Sequence, residues 1–158
     1  MRIERLVFQA VVAEAGLSPA IVDIDAFAVQ NAFEANYGAT EGETVVLEIT
    51  ERSALDRVQG LQRRVAELRK RGFRIAIDDL GEGFSSLRLW SELRPEYVKI
   101  DMHFIQGINT DPIKLQFVRS IQEIAEKSDT LVIAEGIETQ AELMVLRDLG
   151  VGFGQGYH

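Results

Sequence analysis

From Thr44 onward, short β-branched runs alternate with stretches of helical period. The first run is Thr44-Val-Val-Leu-Glu-Ile-Thr50. Ser53, with Asp56 three residues on, starts a helix in a variant of the capping box. Leu55, Val58, Leu61, Val65 and Leu68 form its apolar stripe, and Gly72 stops it. The second run is Phe73 to Leu80, followed by a Gly-rich turn and a helix near Ser86–Leu93 that Pro95 ends. The third run is Tyr97 to Asp101. Asp111 and Pro112 supply the cap and first-turn proline of a helix through about Lys127. Leu131 to Ile137 is the fourth run, Thr139 and Glu142 form a second capping box for a helix closing at Gly150, and Phe153 to Tyr157 reads as a last strand.

Repeated β-α-β units with apolar strands imply a parallel sheet covered by helices, doubly wound or closed as a barrel. The first third is less regular: Leu6–Val12 and Ile21–Phe27 have strand character, and Phe27–Glu34 has helical character. Six or seven strands in one domain over residues 1–158 are expected, with no linker.

Side chains alternate faces along a strand. Val45, Leu47 and Ile49 share one face, leaving Val46 and Glu48 on the other. Phe73, Ile75 and Ile77 oppose Ala76 and Asp78, and Val98 and Ile100 oppose Lys99 and Asp101. Both faces of the fourth run are apolar, so parity does not place Glu135. Charged residues thus stand opposite the large apolar face, near the C-terminal ends of their strands, where parallel α/β folds hold their ligands. Glu48, Asp78, Asp79, Glu135 and Asp101 are expected to converge on one rim.

Clustered carboxylates repel one another and are costly to desolvate unless a cation neutralises them. Oxygen donors alone suit Mg²⁺ or Mn²⁺, with Ca²⁺ as a further occupant. Asp78-Asp79 suits two ions, an arrangement used for in-line attack on a phosphodiester. Lys99 would hold or activate the attacking water, or neutralise a phosphate oxygen. The competing readings are that acidic residues after strands cap the next helix and that Lys99 is an interior ion-pair partner. Spacing alone therefore reaches a metal-assisted hydrolase or an anion-binding barrel.

Composition narrows the field. Seventeen basic and 25 acidic residues give a net charge of −8, the wrong sign for gripping a DNA backbone. Cysteine is absent and only His103 and His158 represent histidine, so thiolate metal sites and Ser-His-Asp triads have no material. No run reaches the length of a membrane span and the first residues lack a signal-peptide pattern, so a cytoplasmic location is expected. Gly81-Glu-Gly-Phe-Ser-Ser86 lacks a Walker lysine and reads as a loop at the rim, while Trp90 reads as a packing residue.

Leu47-Glu-Ile-Thr-Glu51, Asp78-Asp-Leu-Gly-Glu-Gly-Phe-Ser-Ser86, Val98-Lys-Ile-Asp101, Ala134-Glu-Gly-Ile-Glu-Thr139 and Gln155-Gly-Tyr157 occur in the order and spacing of EAL domains. The resemblance spans roughly Thr44 to His158 and implies a modified TIM-type (β/α)8 barrel that hydrolyses cyclic di-GMP to linear pGpG with Mg²⁺ or Mn²⁺. It implies Glu48, Asp78 and Asp79 as metal ligands, Lys99 positioning water, and Glu135 in the metal and water shell. Glu138 and Gln155 would support the site, and Glu51 would anchor the Gly81–Ser86 loop, which in the family also shapes a dimer contact. Asp23 falls nearest the family's asparagine ligand. The family further suggests a homodimer, and GGDEF or sensory domains in a longer protein.

The Glu-Ala-Leu signature is absent from these residues, and Glu14-Ala-Gly-Leu17 is only an echo of it. A barrel of this kind needs roughly 200 to 250 residues, so an incomplete one is expected. The alternative function is an inactive cyclic di-GMP receptor or protein-interaction module.

Overall fold

A computed structural model of the chain describes residues 46–49, 58–70, 72–81 and 85–156. The elements are β1 (Val46–Ile49), α1 (Val58–Lys70), β2 (Arg74–Leu80), α2 (Ser85–Leu93), β3 (Tyr97–Ile100), α3 (Met102–Ile105), α4 (Pro112–Ser128), β4 (Leu131–Ile137), α5 (Gln140–Asp148) and β5 (Phe153–Gly156). Five strands are therefore described, each on one of the runs from Thr44 onward. The strand and helix expectations for residues 6–34, and the Ser53 cap, lie outside the described residues.

The strands are all parallel and lie side by side in chain order, β1-β2-β3-β4-β5. A doubly wound sheet would reverse direction at a switch point. Unbroken sequential order is that of a barrel wall, and the part described is an incomplete TIM-like barrel.

Parity sorts the two faces. Ile49, Ile75, Ile77, Leu80, Val98, Ile100, Val132 and Ala134 share one core with Val65 and Leu68 of α1, Leu89, Trp90 and Leu93 of α2, Val118 and Ile121 of α4, and Leu146 of α5. Trp90 is buried there, as a packing residue. The opposite face carries a small second cluster of Ala76, Tyr97 and Ile133 with Phe153 against it. Tyr97 and Phe153 meet edge to face, with ring centroids 6.0 Å apart. Ile133 in this inner layer puts Glu135, two residues on, on the inner face as well, which the apolar pattern of the fourth run left open.

Two expectations need correction at strand ends. β3 stops at Ile100, and Asp101 caps α3, its Oδ1 accepting from the His103 N–H at 2.7 Å. The competing capping reading thus applies to Asp101, which stands one residue past the end of β3. β2, in turn, does not alternate to its end. Its register against β3 shifts between Ile77 and Leu80, and Asp79 adopts a left-handed φ of 55°. Asp tolerates that region better than most residues. The irregularity returns Leu80 to the helix-facing core and brings Asp78 and Asp79 to the same site.

The N-terminal ends of the strands are tied by Glu96. Its carboxylate accepts from Arg69 Nε at 2.7 Å and from the Ile75 N–H at 2.8 Å, while its carbonyl accepts from the Leu131 N–H at 2.9 Å. Arg69 also donates to the carbonyls of Leu93 and Arg94. One residue thus joins α1, β2 and β4 at the end of the sheet remote from the acidic rim. Hydrogen bonds to a charged group contribute about 1.5–3 kcal/mol. Glu96→Ala is expected to cost about 2 kcal/mol in urea unfolding, and the R69A/E96A double variant about 1 kcal/mol less than the sum of the singles. Strict additivity would show that the two side chains do not act together.

Candidate metal and catalytic site

Four neighbouring strands each deliver a charged side chain to the inner face near the C-terminal rim: Glu48 from β1, Asp78 from β2, Lys99 from β3 and Glu135 from β4. Lys99 Nζ lies 2.8 Å from Glu48 Oε1, 3.0 Å from Asp78 Oδ1 and 2.9 Å from Glu135 Oε1. An ammonium has three protons, and here each has a carboxylate partner. Lys99 is only 6% exposed. An unpaired charge at that depth would be strongly unfavourable.

The carboxylates outnumber the ammonium. Asp78, Asp79 and Glu135 can each present one oxygen such that all three lie within 4.8 Å of one another. Burial pushes the Glu48 and Glu135 carboxyls above the usual value. For both, the Lys99 ammonium opposes this and the charge of Asp78 adds to it. Asp79 adds further to the rise at Glu135, and Glu135 itself to that at Glu48. Burial pulls the Lys99 ammonium down, but its bonds to Glu48 and Glu135 outweigh that and hold its pKa above the usual value. Lys99 is therefore a fixed cation, while the two glutamates are poorly compensated anions.

This donor set fits a hard divalent ion. The three converging groups offer only oxygen, and the surplus negative charge is what such an ion neutralises. Glu48 lies outside that group of three and reaches it through Lys99. Asp23 and Glu51 lie outside the described residues, as do residues 82–84.

Beside this centre opens a cleft of about 550 Å³ lined by Asp79, Asp101, Met102, Glu135, Gly136, Glu138, Gln155 and Gly156. Glu138 and Gln155, singled out in the sequence, face it, and so does Asp101 beyond its capping role. Met102, Gly136 and Gly156 were not foreseen. Met102 belongs to α3, a single turn too short to show helical periodicity, whose available signal was Asp101 before Met-His-Phe-Ile. Gly136 has a φ of 71°, and a Cβ there would lie 2.5 Å from Met102 Cβ. Only glycine lets the β4 rim pass this close to α3.

Glu142 ties the rim together. It completes the capping box with Thr139, as expected. Beyond that, its Oε1 accepts from the Gly107 N–H at 2.7 Å and its Oε2 from the N–H groups of Glu138 and Thr139 at 3.0 and 2.9 Å. Burial acts to raise its pKa, but the bonds from Gly107, Glu138 and Thr139 prevail and hold it below the usual value of 4.5.

Comparison with known proteins fits this geometry. The EAL domain family matches residues 17–158, further toward the N-terminus than the motifs alone reached. The probable cyclic di-GMP phosphodiesterase PdeA of Escherichia coli is 38% identical over 115 residues, 73% of this chain and 16% of that protein. A standalone EAL protein from Vibrio cholerae, solved with cyclic di-GMP bound, superposes with a TM-score of 0.76 at 28% identity, covering 94% of this chain and 66% of that one. BlrP1 of Klebsiella pneumoniae, solved as a manganese and cyclic di-GMP complex, gives a TM-score of 0.76 at 26% identity, covering 94% of this chain and 40% of that one. The chain belongs to the EAL domain family, and it spans 16–22% of the length of the first curated relatives it matches.

A depressed carboxyl pKa contributes stability that is present above the unfolded value and lost as pH falls through the folded one. Glu142→Gln is accordingly expected to cost about 1–2 kcal/mol at pH 7. The deficit should shrink as pH drops below 4.5. Chemical denaturation of both proteins at pH 7 and pH 3.5 checks this, and an undiminished deficit at the lower pH would contradict the assignment.

Proposed function

We propose that this chain carries the catalytic rim of a metal-dependent phosphodiesterase that converts cyclic di-GMP to linear pGpG. The observation that carries the reading is the meeting of Glu48, Asp78, Lys99 and Glu135, one from each of four strands, around a single ammonium. Relatives named as cyclic di-GMP phosphodiesterases and neighbours solved with that nucleotide support the choice of substrate.

Asp78, Asp79 and Glu135 would hold Mg²⁺ or Mn²⁺, one ion or two, with Glu48 and Asp23 completing the set and Ca²⁺ as an inhibitory occupant. The bound ion supplies a water acidified toward neutral pH and charge neutralisation for the phosphate oxygens. Lys99, held protonated, cannot act as a base; it stabilises negative charge at the rim, and it would orient the attacking water with a proton released when one of its three carboxylate partners turns to the ion. Glu135, at the mouth of the cleft beside Lys99, is placed to take the proton of the attacking water. The water oxygen bonds to phosphorus, the bond to the ribose 3′ oxygen breaks, and that oxygen takes up a proton from solvent in the cleft, while Glu135 later returns its own proton to solvent. Glu138 and Gln155 contact the nucleotide from the cleft, and Glu51 anchors the rim loop. A homodimer, and GGDEF or sensory domains in a longer protein, belong to the same proposal.

Incubating the chain with cyclic di-GMP and Mn²⁺ is expected to release pGpG, and Lys99→Ala or Asp78→Asn to slow that release by about 100-fold or more. Binding without product from a folded sample would favour the alternative, a receptor that has lost hydrolysis.

The pKa directions give a second test. For Glu48 and Glu135 the folded value is raised, so their contribution to stability is fully present below pH 4.5 and is lost as pH rises through the folded values. Chelator-treated protein should therefore lose stability as pH climbs above 4.5. At pH 7 Mn²⁺ at a hundred times its Kd should restore about 2.7 kcal/mol. A melting temperature indifferent to Mn²⁺ at pH 7 would count against a metal at these carboxylates.

A further inference from the structure

We infer that Gln106 is a positioning residue that presents the Glu138 carboxylate to the ligand in the cleft, an inference that rests on the functional reading above. Gln106 is the C-cap of α3, the turn that closes the cleft beside Met102. Its side-chain Nε2 donates to Glu138 Oε1 at 3.0 Å across 32 residues of sequence. Among the described residues no group is bonded to the other oxygen, Oε2, and Glu138 lines the cleft.

An exposed Gln–Glu hydrogen bond would ordinarily contribute little, because both side chains can rotate away into water. Here both backbones are fixed by one carboxylate. Glu142 Oε1 holds the N–H of Gly107, next to Gln106, and Glu142 Oε2 holds the N–H of Glu138 itself. Two more bonds fix Gln106 from other directions. Its N–H donates to the Met102 carbonyl at 2.9 Å, and its own carbonyl accepts from Lys114 Nζ of α4 at 2.8 Å. The Gln106–Glu138 bond therefore closes a ring whose other side is Glu142. Much of the ordering entropy of such a contact has already been lost on folding, so the bond can set an orientation.

The chemistry of that orientation follows from charge. A phosphate would be repelled by a carboxylate at this edge of the cleft. Glu138 must therefore meet a donor-bearing part of the nucleotide, a base N–H edge or a sugar hydroxyl, while the phosphate turns toward the divalent ion that the acidic centre would hold. Gln106 fixes which oxygen of Glu138 is offered, so its effect is on substrate binding and not on the bond-breaking step.

The test compares the 158-residue chain with Gln106→Leu, Glu138→Ala and the double variant, measuring kcat and KM for cyclic di-GMP with Mn²⁺ alongside thermal melts. Leucine keeps the bulk of Gln106 and removes its donor. Q106L is expected to raise KM about fivefold, the worth of one hydrogen bond, with kcat within twofold and the melting temperature unchanged. In the E138A background it should add nothing to KM. An unchanged KM in Q106L, or the same factor recurring in the E138A background, would overturn the inference while leaving the functional reading standing. A parent that binds without turnover counts against hydrolysis alone, and the comparison is then read in calorimetric Kd. A parent that neither binds nor hydrolyses overturns both.

Discussion

The inner face of this sheet is organised by one buried ammonium. Lys99 has a carboxylate for each of its protons, and those carboxylates come from the two strands beside its own and from the strand beyond β2. Without it Glu48, Asp78 and Glu135 would repel one another in a place where partial burial weakens the screening by water. With it, Asp79 and the remaining oxygens still leave a surplus of negative charge. That surplus is compact, oxygen-only and open to a cleft, which is the setting a hard divalent cation requires. Assembly of the barrel wall and the proposed binding of a divalent ion thus share one electrostatic condition.

The rest of the molecule keeps that condition in register. At the far end of the strands Glu96 ties α1, β2 and β4, which sets the height of each strand relative to its neighbours. At the rim Glu142 does the equivalent for the loops, joining the turn after α3 to the β4–α5 connection. A slip of one residue in β2 or β4 would turn Asp78 or Glu135 to the helix-packed side. Among the described residues no helix is long and apolar enough to cross a membrane.

Much of this was legible in the sequence because strand parity is a strong rule when one face is packed by helices. Asp78 and Lys99 fall opposite Ile75, Ile77, Val98 and Ile100 by counting alone, and the structure keeps them there. Glu135 could not be placed by counting, since Ile133 and Ala134 are both apolar; the inner layer of Ala76, Tyr97, Ile133 and Phe153 decides it. What escaped was non-periodic. The left-handed Asp79 and the single turn of α3 each depend on tertiary contacts. So does the close pass of Gly136 over Met102, and the pairing of Gln106 with Glu138 joins residues too far apart for any local pattern. Asp101 was counted as the last residue of its strand; it stands one past it, where it both caps α3 and lines the cleft.

The most direct measurement is anomalous X-ray diffraction from crystals of the chain grown with Mn²⁺ at neutral pH. A manganese peak coordinated by Asp78, Asp79 and Glu135, with Lys99 still buried beside it, is the expected result. Manganese bound elsewhere on the protein, or an ordered acidic cluster that takes up none, would contradict the metal-centred reading of this site.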